Sequence, residues 1–269
     1  MRLDLYLASC GLAESREGAK RLIEEGQVSI NGVVVTKPAK DIVGEPTIAV
    51  TPKKYVGRGG EKLEAALAYF KVDPAGLSVL DIGASTGGFT DCLLQRGAAR
   101  AVCVDAGIGQ LHAKLLADAR VTNIEKYNAR YLSVTDTGKV DLAVMDVSFI
   151  SQTYILPQIP AVLNEGGVLI SLIKPQFEAG RGALNKQGIV RQERDRIFAV
   201  SRVLEAATAV GLSPLGLAPS PILGGDGNEE FLAYFKLNAV PHGAVDVSKT
   251  VKDKAVILLH EANCNHNEL

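Results

Sequence analysis

The sequence predicts a small N-terminal α+β module followed by an α/β domain whose sheet is mostly parallel and covered by helices on both faces. Three observations support this prediction. At 269 residues the chain exceeds one ordinary domain. Hydrophobic residues make up 47% of it beside 22% charged residues, which is typical of a chain that buries a core. From residue 77 onward, apolar runs alternate with helical periodicity, which is the pattern of a parallel α/β sheet.

The N-terminal module is predicted to contain two short helices and a hairpin. Leu3 and Leu7 have helical spacing, and a second helical segment runs from Ser15, a favourable N-cap residue, to Gly26, a favourable stop. Asn31-Gly32 between β-branched residues is a strong hairpin signal, because both turn positions need positive φ. We place this module in residues 1–52, a linker in residues 53–60 and the second domain in residues 61–269.

The second domain opens with a strand, a glycine-rich loop and a helix. An apolar strand leads through Asp81 into the loop at residues 83–88, and a second strand at residues 101–104 ends in Asp105. This order is the entry half of a Rossmann-like sheet, in which the acid after the second strand binds the ribose hydroxyls of a nucleoside. The loop therefore predicts a nucleoside cofactor.

Asp81 indicates which nucleoside cofactor the loop would bind. A nicotinamide or flavin dinucleotide would bring an anionic pyrophosphate close to a carboxylate that stands two residues before Gly83, and the two would repel each other. S-adenosylmethionine has no phosphate but carries a cationic amino group and a sulfonium, so an acid favours it. The alternative is an aspartate that only caps the loop of an unrelated α/β domain. The expected cofactor-binding residues are Asp81, Gly83, Ser85, Thr86, Gly87, Gly88, Phe89, Asp105, Asn128 and Asp146.

Further strands are predicted at residues 142–145, 168–173 and 231–237, with helical periodicity between them. Ligands of parallel sheets bind beyond the carboxyl ends of the strands. Asp81, Asp105, Asp146 and Lys174 stand at such ends. These side chains are therefore expected near the cofactor.

The residues after Asp146 bear on the methyl acceptor. Enzymes that methylate an exocyclic amine of a base commonly have two prolines at this place, whereas this chain reads Val147-Ser148-Phe149. A ribose 2′-hydroxyl is a weak nucleophile and needs a group that takes its proton. Lys174, fixed by the following Pro175 and placed among carboxylates, is the candidate for that role.

The N-terminal module resembles the S4 RNA-binding domain in the motifs Arg2-Leu3-Asp4, Ser15-Arg16, Gly26-Gln27-Val28, Asn31-Gly32 and Lys37-Pro38. The resemblance implies RNA binding through the basic second helix, with salt-dependent contacts to phosphates. Taken alone, three basic residues on one helix would equally suit a solvated surface. A basic loop after Lys174 is a further candidate RNA contact. The expected RNA-binding residues are Arg2, Arg16, Lys20, Arg21, Lys37, Arg58, Arg181 and Arg191.

The chain as a whole resembles the FtsJ-like 2′-O-methyltransferases, and more closely the TlyA family, named for hemolysin A, which joins an S4 domain to such a catalytic domain. The matching motifs lie at residues 58–63, 81–91, 105–107, 146–151, 173–178, 188–191 and 227–231. The Lys-Asp-Lys-Glu tetrad of the FtsJ-like enzymes carries over onto Lys62, Asp146, Lys174 and Glu230. Glu229 is an alternative to Glu230, and Lys62 could instead be a solvated helix residue. The resemblance implies methylation of ribosomal RNA, free or within ribosomal subunits, on the 2′-oxygen of cytidine.

Two other functions stay open: an RNA-binding regulator with an inactive methyltransferase fold, and the membrane-active hemolysin of the family name. The second would need a spanning or strongly amphipathic segment, and the sequence shows none. Pseudouridine synthases with an S4 domain would lack the Asp81 loop. His260, Cys264 and His266 fit no common metal site, and four cysteines without CxxC spacing suit a cytoplasmic protein. The helical spacing of residues 247, 251, 255 and 258 predicts a C-terminal helix, and a homodimer remains open.

Overall fold

A computed structural model describes residues 1–24, 26–51, 53–240 and 244–252 of the chain. The chain divides into two compact units, residues 1–54 and 55–269, and each is described here by itself. The sequence-based boundaries at residues 52 and 61 stay a prediction. Within the second unit, Tyr55 is buried in the core and a helix begins at Gly59, so residues 55–60 pack with that unit.

The strands that the sequence predicts are present in the predicted order, among further elements. In chain order the described elements are α1 (Leu3–Ser9), α2 (Arg16–Glu24), β1 (Val28–Ile30), β2 (Val33–Val34), β3 (Ile48–Val50), α3 (Gly59–Phe70), β4 (Ser78–Ile82), α4 (Gly88–Gln95), β5 (Arg100–Val104), α5 (Ala113–Leu116), β6 (Val121–Ile124), α6 (Val134–Thr137), β7 (Val140–Met145), α7 (Ile159–Val162), β8 (Leu163–Ile173), α8 (Pro175–Glu178), α9 (Glu193–Ala209), β9 (Leu212–Pro219), β10 (Phe231–Leu237) and α10 (Val247–Lys252). Short 3₁₀ turns lie at Ala129–Tyr131, Gln152–Tyr154, Leu156–Gln158 and Arg181–Ala183.

The first unit packs α1 and α2 against a three-stranded antiparallel sheet of order β2-β1-β3. The hairpin turn between β1 and β2 has the positive φ values that Asn-Gly predicts, 51° at Asn31 and 79° at Gly32. Ser15 caps α2 as expected, since its Oγ accepts a hydrogen bond from the Gly18 amide at 3.0 Å. The third strand, β3, was not predicted from the sequence.

The second unit is built on a seven-stranded sheet of order β6-β5-β4-β7-β8-β10-β9. The strands from β6 to β8 are parallel, and β10 runs antiparallel to both of its neighbours. Helices α3 and α4 pack on one face of the sheet and α9 on the other, in two separate apolar clusters. The predicted fold class, an α/β sheet that is mostly parallel and covered on both faces, is confirmed.

The loop between β4 and α4 lies at the carboxyl end of the sheet and lacks room for side chains. Gly83 has a φ of +84°, and a Cβ there would lie 2.5 Å from the carbonyl oxygen of Asp146. Gly87 has a φ of +91°, and a Cβ there would overlap the side chains of Leu111 and Leu115. Glycine therefore lets the loop pack directly against the end of β7 and against α5.

The C-terminal helix is partly described. α10 spans Val247–Lys252, and Val251 is buried in the same apolar cluster as α9. Residues 255, 258, 260, 264 and 266, which the sequence analysis also considered, lie outside the described residues. In the part of the chain that the structure describes, no helix is long and apolar enough to cross a membrane. Those residues also contain no group of three or more His, Cys, Asp or Glu side chains that could hold a metal ion.

Candidate active site

The side chains that follow β7 and β8 form an ion pair at the carboxyl end of the sheet. Because β7 and β8 are adjacent and parallel, Asp146 and Lys174 emerge side by side. Lys174 Nζ lies 2.6 Å from Asp146 Oδ1 and donates a hydrogen bond to Ser148 Oγ at 2.9 Å. The lysine side chain is 12% exposed and the aspartate side chain 22% exposed, so both can be reached from the surface.

A second ion pair joins α3 to the beginning of β10. Lys62 Nζ donates to Glu230 Oε2 at 2.5 Å, and the two side chains are 9% and 3% exposed. The alternative of a solvated Lys62 is therefore wrong in this structure. Glu229 lies elsewhere, 37% exposed, with its Oε2 3.2 Å from Nε of Arg196. Of the two adjacent glutamates, Glu230 is the one that meets Lys62.

The first turn of α3 lies beside the Asp146–Lys174 pair. A Cβ placed on Gly59 would be 3.9 Å from Asp146 Oδ2. Gly59, together with Gly57 and Arg58 just before α3, lines a cavity of about 180 Å³. The other residues that line this cavity are Asp81, Gly83, Ala84, Ser85, Thr86, Gly88, Phe89, Asp146, Ser148 and Lys174.

Asp81 is fully buried beneath this cavity and has one unsatisfied oxygen. Its Oδ2 accepts hydrogen bonds from the Thr90 amide at 3.0 Å and from Thr90 Oγ1 at 2.7 Å. Its Oδ1 has no hydrogen-bond partner among the described residues. Burial raises the pKa of Asp81 to about 7, and the charges of Asp146 and Asp105 act in the same direction. A cationic ligand group would satisfy this oxygen, as the amino group of S-adenosylmethionine would.

A larger cavity of about 550 Å³ adjoins the first one and has the lining expected for a nucleoside. Gly83, Ser85, Asp146 and Ser148 line both cavities. Asp105 also lines the larger cavity, and backbone amides hold its carboxylate: Ser85 N donates to Oδ2 at 2.8 Å and Gly107 N donates to Oδ1 at 2.7 Å. Each carboxylate oxygen keeps a second lone pair that a ribose hydroxyl could use.

Two of the residues that the sequence predicts to bind the cofactor have local structural roles. Asn128 lines the larger cavity, and its Oδ1 accepts a hydrogen bond from the Arg130 amide at 3.1 Å, which caps the turn Ala129–Tyr131. Gly87 lines neither cavity, because its α-carbon packs against Leu111 and Leu115. The structure thus brings nine of the ten predicted cofactor residues to the cavity walls.

Phe149 is a feature of the site that was not predicted from the sequence. This aromatic residue has a φ of +64°, is 92% exposed, and lines the larger cavity. Its ring centroid lies 5.3 Å from that of Phe177, which follows Lys174 closely in the chain. A bulky residue with positive φ is strained, and such strain clusters at functional sites. The backbone angle itself leaves no signal in the sequence.

A buried network holds the loop that follows Asp146. Glu178 is buried, with Oε2 accepting from Ser151 Oγ at 2.5 Å and Oε1 accepting from the Gln152 amide at 2.8 Å. Gln152 in turn donates through Nε2 to the Leu172 carbonyl at 2.6 Å. Burial raises the pKa of the Glu178 carboxyl. The network ties α8 and β8 to the loop between Asp146 and Gln152, so it supports the geometry of the Asp146–Lys174 pair.

The predicted RNA-binding residues of the first unit lie at its surface, but three of them have acidic partners. Arg2 and Arg16 both contact Asp4, and Lys20 Nζ donates to Glu17 Oε1 at 2.6 Å. Arg21 and Lys37 are exposed. Surface position was predictable from helical spacing, whereas these partners were not.

The predicted RNA-binding residues of the second unit lie on two segments. Arg58 is exposed and lines the smaller cavity. Arg181 and Arg191 are exposed on the segment that follows α8. The buried Asn228 fastens this segment, since Asn228 Oδ1 accepts from the Val190 amide at 3.0 Å and Asn228 Nδ2 donates to the Gly188 carbonyl at 3.1 Å.

Comparison with known proteins agrees with the geometry. Residues 55–237 match the family model of the FtsJ-like methyltransferases, and residues 1–45 match the S4 domain. Hemolysin A of Brachyspira hyodysenteriae is 44% identical over 242 residues, which cover 87% of this chain and 99% of that protein. The 16S/23S rRNA (cytidine-2′-O)-methyltransferase TlyA of Mycobacterium tuberculosis (strain ATCC 25618 / H37Rv) is 39% identical over 239 residues, which cover 87% of this chain and 89% of that protein.

A solved structure of a hemolysin-named protein from Streptococcus thermophilus is also similar. It is 40% identical with a TM-score of 0.73, and the match covers 93% of this chain and 94% of that one. The resemblance that the sequence motifs indicate is therefore confirmed. The chain belongs to the FtsJ-like methyltransferase family, together with these TlyA and hemolysin A proteins, and carries an S4 domain in residues 1–45.

Proposed function

We propose that the protein transfers a methyl group from S-adenosylmethionine to the 2′-hydroxyl of a cytidine in ribosomal RNA. The observation that carries this proposal is the Lys174–Asp146 ion pair, at 2.6 Å, in the wall of the cavity that also contains the unsatisfied oxygen of Asp81. A donor site and a proton-accepting lysine thus share one cavity. The choice of cytidine rests on the name of the Mycobacterium tuberculosis relative.

The cofactor would occupy both cavities, with its cationic amino group on Asp81 and its ribose hydroxyls on Asp105. S-adenosylmethionine supplies the reactive methyl group on a positively charged sulfur. The residues assigned here to cofactor binding are those at the cavity walls. These carboxylates suit a cationic ligand better than a pyrophosphate, because they attract positive charge and would repel the anionic phosphates.

Lys174 would handle the proton of the acceptor. Lys174 would orient the 2′-hydroxyl and, after its ammonium group gives up a proton to solvent, would take the hydroxyl proton during methyl transfer. Asp146, 2.6 Å away, stabilises the ammonium group that results. Ser148 Oγ and Asp146 fix the direction of the lysine side chain, so positioning contributes to the rate. The buried Lys62–Glu230 pair would hold the first turn of α3 in place beside this site.

The RNA would reach the site as an unpaired nucleotide. Exposed aromatic rings stack on unpaired bases in RNA-binding proteins, and Phe149 is an exposed residue at the edge of the larger cavity. The S4 domain would provide salt-dependent contacts to phosphates elsewhere on the same RNA. A ribosomal RNA substrate places the protein in the cytoplasm. A homodimer stays a prediction, which sedimentation of the purified chain would check.

The test incubates the purified chain with labelled S-adenosylmethionine and separate small and large ribosomal subunits, and then maps nucleotides that resist alkaline cleavage. We expect label on a cytidine of at least one subunit. Lys174→Ala should abolish the label, whereas the exposed Lys139→Ala should retain it. Cofactor binding without transfer to either subunit would instead favour the RNA-binding regulator.

A further inference from the structure

The S4 unit contains a buried acid that two arginines share. Asp4, in the first turn of α1, has a residue exposure of 0%. Arg2 donates from Nε to Asp4 Oδ1 at 3.0 Å and from Nη2 to Oδ2 at 2.9 Å. Arg16, at the beginning of α2, donates from Nε to Asp4 Oδ2 at 3.1 Å. One carboxylate therefore orients two guanidinium groups, one from the residue before α1 and one from the beginning of α2.

The arginines remain accessible although their partner is buried. Their side chains are 41% and 48% exposed, against 0% for Asp4. An arginine has five N–H donors, and the described hydrogen bonds use Nε and Nη2 of Arg2 and Nε alone of Arg16. The remaining donors have no protein acceptor among the described residues. Each arginine thus keeps N–H donors available at the surface, beside the carboxylates of Asp4 and Asp41.

This arrangement is suited to binding a phosphate group. Guanidinium groups bind phosphate oxygens through paired, charge-assisted hydrogen bonds whose geometry must be correct. Fixing flexible arginine side chains before binding lowers the entropy cost of the contact. The hydrogen bonds from Arg2 and Arg16 hold the pKa of the Asp4 carboxyl well below its usual range, so the carboxylate stays charged and keeps both arginines in place.

We propose that Asp4 is a positioning residue that makes Arg2 and Arg16 one preorganised binding site for a backbone phosphate of RNA. The inference rests on the proposed function, because the phosphate belongs to the RNA that the S4 domain binds. It also explains why an acid, Asp4, lies among predicted RNA-binding residues, although its negative charge by itself would weaken the binding of RNA.

The direction in which one substitution changes the affinity for RNA tests the proposal. Asp4→Asn removes a negative charge, so electrostatics alone predicts tighter binding to RNA. Positioning predicts weaker binding, by about threefold to tenfold, which is the scale of immobilising a flexible side chain. The measurement is filter binding of the full chain to 16S and 23S rRNA transcripts over a range of salt concentrations. Glu17→Gln is the matched control, because it removes the same charge from an exposed carboxylate of the same unit and should bind equally or more tightly.

Hydrogen exchange of peptides that contain β1 and β3 reports whether Asp4→Asn keeps the S4 unit folded. If protection is lost, Arg2→Gln and Arg16→Gln decide the question with Asp4 intact. If Arg2 and Arg16 form a single shared site, the double variant should bind RNA only slightly less tightly than whichever single variant has the lower affinity. Multiplicative losses would show two independent contacts and overturn the proposal.

The results of these binding experiments distinguish failure of the positioning role of Asp4 from failure of the proposed function. Wild-type binding with equal or tighter binding of a folded Asp4→Asn variant would overturn the positioning role and leave the methyltransferase proposal intact. A wild-type chain that binds neither transcript would overturn both the phosphate site and the delivery of RNA by the S4 domain. Weaker binding by Asp4→Asn, with Glu17→Gln unimpaired, is the result we expect.

Discussion

The two lysine–carboxylate pairs of the catalytic unit have the same chemistry in different surroundings. Lys62 and Glu230 are nearly inaccessible, at 9% and 3% exposure, whereas Lys174 and Asp146 border a cavity at 12% and 22%. A buried pair fixes structure, because moving either charge would leave the other unpaired in a poorly polarisable interior. A pair at a cavity wall can exchange a proton with a ligand. The difference predicts that one half of the tetrad holds the site together and that the other half takes part in the reaction.

The largest expected effect is that of Lys174→Ala on the methyl-transfer rate. Losing the group that takes the proton should lower the single-turnover rate by about 10²–10⁴-fold, the usual contribution of a positioned acid–base group. Cofactor affinity, measured by calorimetry, should change less than about twofold, because Asp81 and Asp105 remain. An equal loss of rate and cofactor affinity would contradict the assignment of Lys174 to the acceptor.

Lys62→Met should act mainly on stability. Removing one partner of a buried ion pair typically costs about 3–5 kcal/mol, because the remaining charge is left without compensation. The free energy of unfolding, from denaturant titration, should fall by about this amount, and Lys62→Met combined with Glu230→Gln should recover part of it. If Lys62→Met abolished transfer while the free energy of unfolding stayed unchanged, the contrast between the two pairs would be wrong.

The pH dependence of cofactor binding tests which of the two ion pairs acts electrostatically on Asp81 in the donor site. The pKa of Asp81 is raised to about 7, and the ionised form binds a cationic amino group, so cofactor affinity should rise as the pH increases through about 7. Because the charge of Asp146 contributes to this raised pKa, Asp146→Asn should move the midpoint of the affinity profile to lower pH. Glu230→Gln is the control and should leave the midpoint in place.

The same raised pKa has a consequence for stability. Folding suppresses the ionisation of Asp81, so the folded state binds more protons than the unfolded state between the ordinary value of 3.8 and about 7. Without cofactor, the contribution of Asp81 to the free energy of unfolding therefore decreases as the pH rises through this window. Asp81→Asn should flatten that part of the stability profile, and an unchanged slope would count against a buried, protonated Asp81.

The smallest expected effect is that of Glu229→Gln. Glu229 is 37% exposed and pairs with Arg196 rather than with Lys62, and such exposed pairs contribute little to stability. The transfer rate should change less than about twofold and the free energy of unfolding by less than about 1 kcal/mol. A large loss of activity with Glu229→Gln, but not with Glu230→Gln, would exchange the two residues in the proposed tetrad.

The sequence predicted best where neighbouring strands determine position. Asp146 and Lys174 follow adjacent parallel strands, so their meeting at the end of the sheet follows from topology alone. The glycine loop and Asp105 were predictable for the same reason. The family resemblance added Lys62 and Glu230, which lie 168 residues apart and whose contact no local pattern indicates.

What the sequence could not predict depends on contacts between distant segments or on backbone angles. Helical spacing placed Arg2 and Arg16 at the surface but did not reveal that both contact Asp4. The charged run around Lys62 is equally typical of a solvated helix, so its burial needed the tertiary structure. The positive φ of Phe149 is a backbone angle in a loop that the network around Glu178 holds at Ser151.

The packing of Gly83 against the end of β7 has a consequence for the reaction as a whole. The Ile82 carbonyl accepts a hydrogen bond from the Asp146 amide at 3.0 Å, and the next residue, Gly83, leaves no space for even a methyl side chain against the Asp146 carbonyl. In the proposed reaction, the main chain would act as a spacer of fixed length between the segment that holds the donor and the segment that activates the acceptor. These backbone contacts would then set the width of the gap between the two reactants before either one binds.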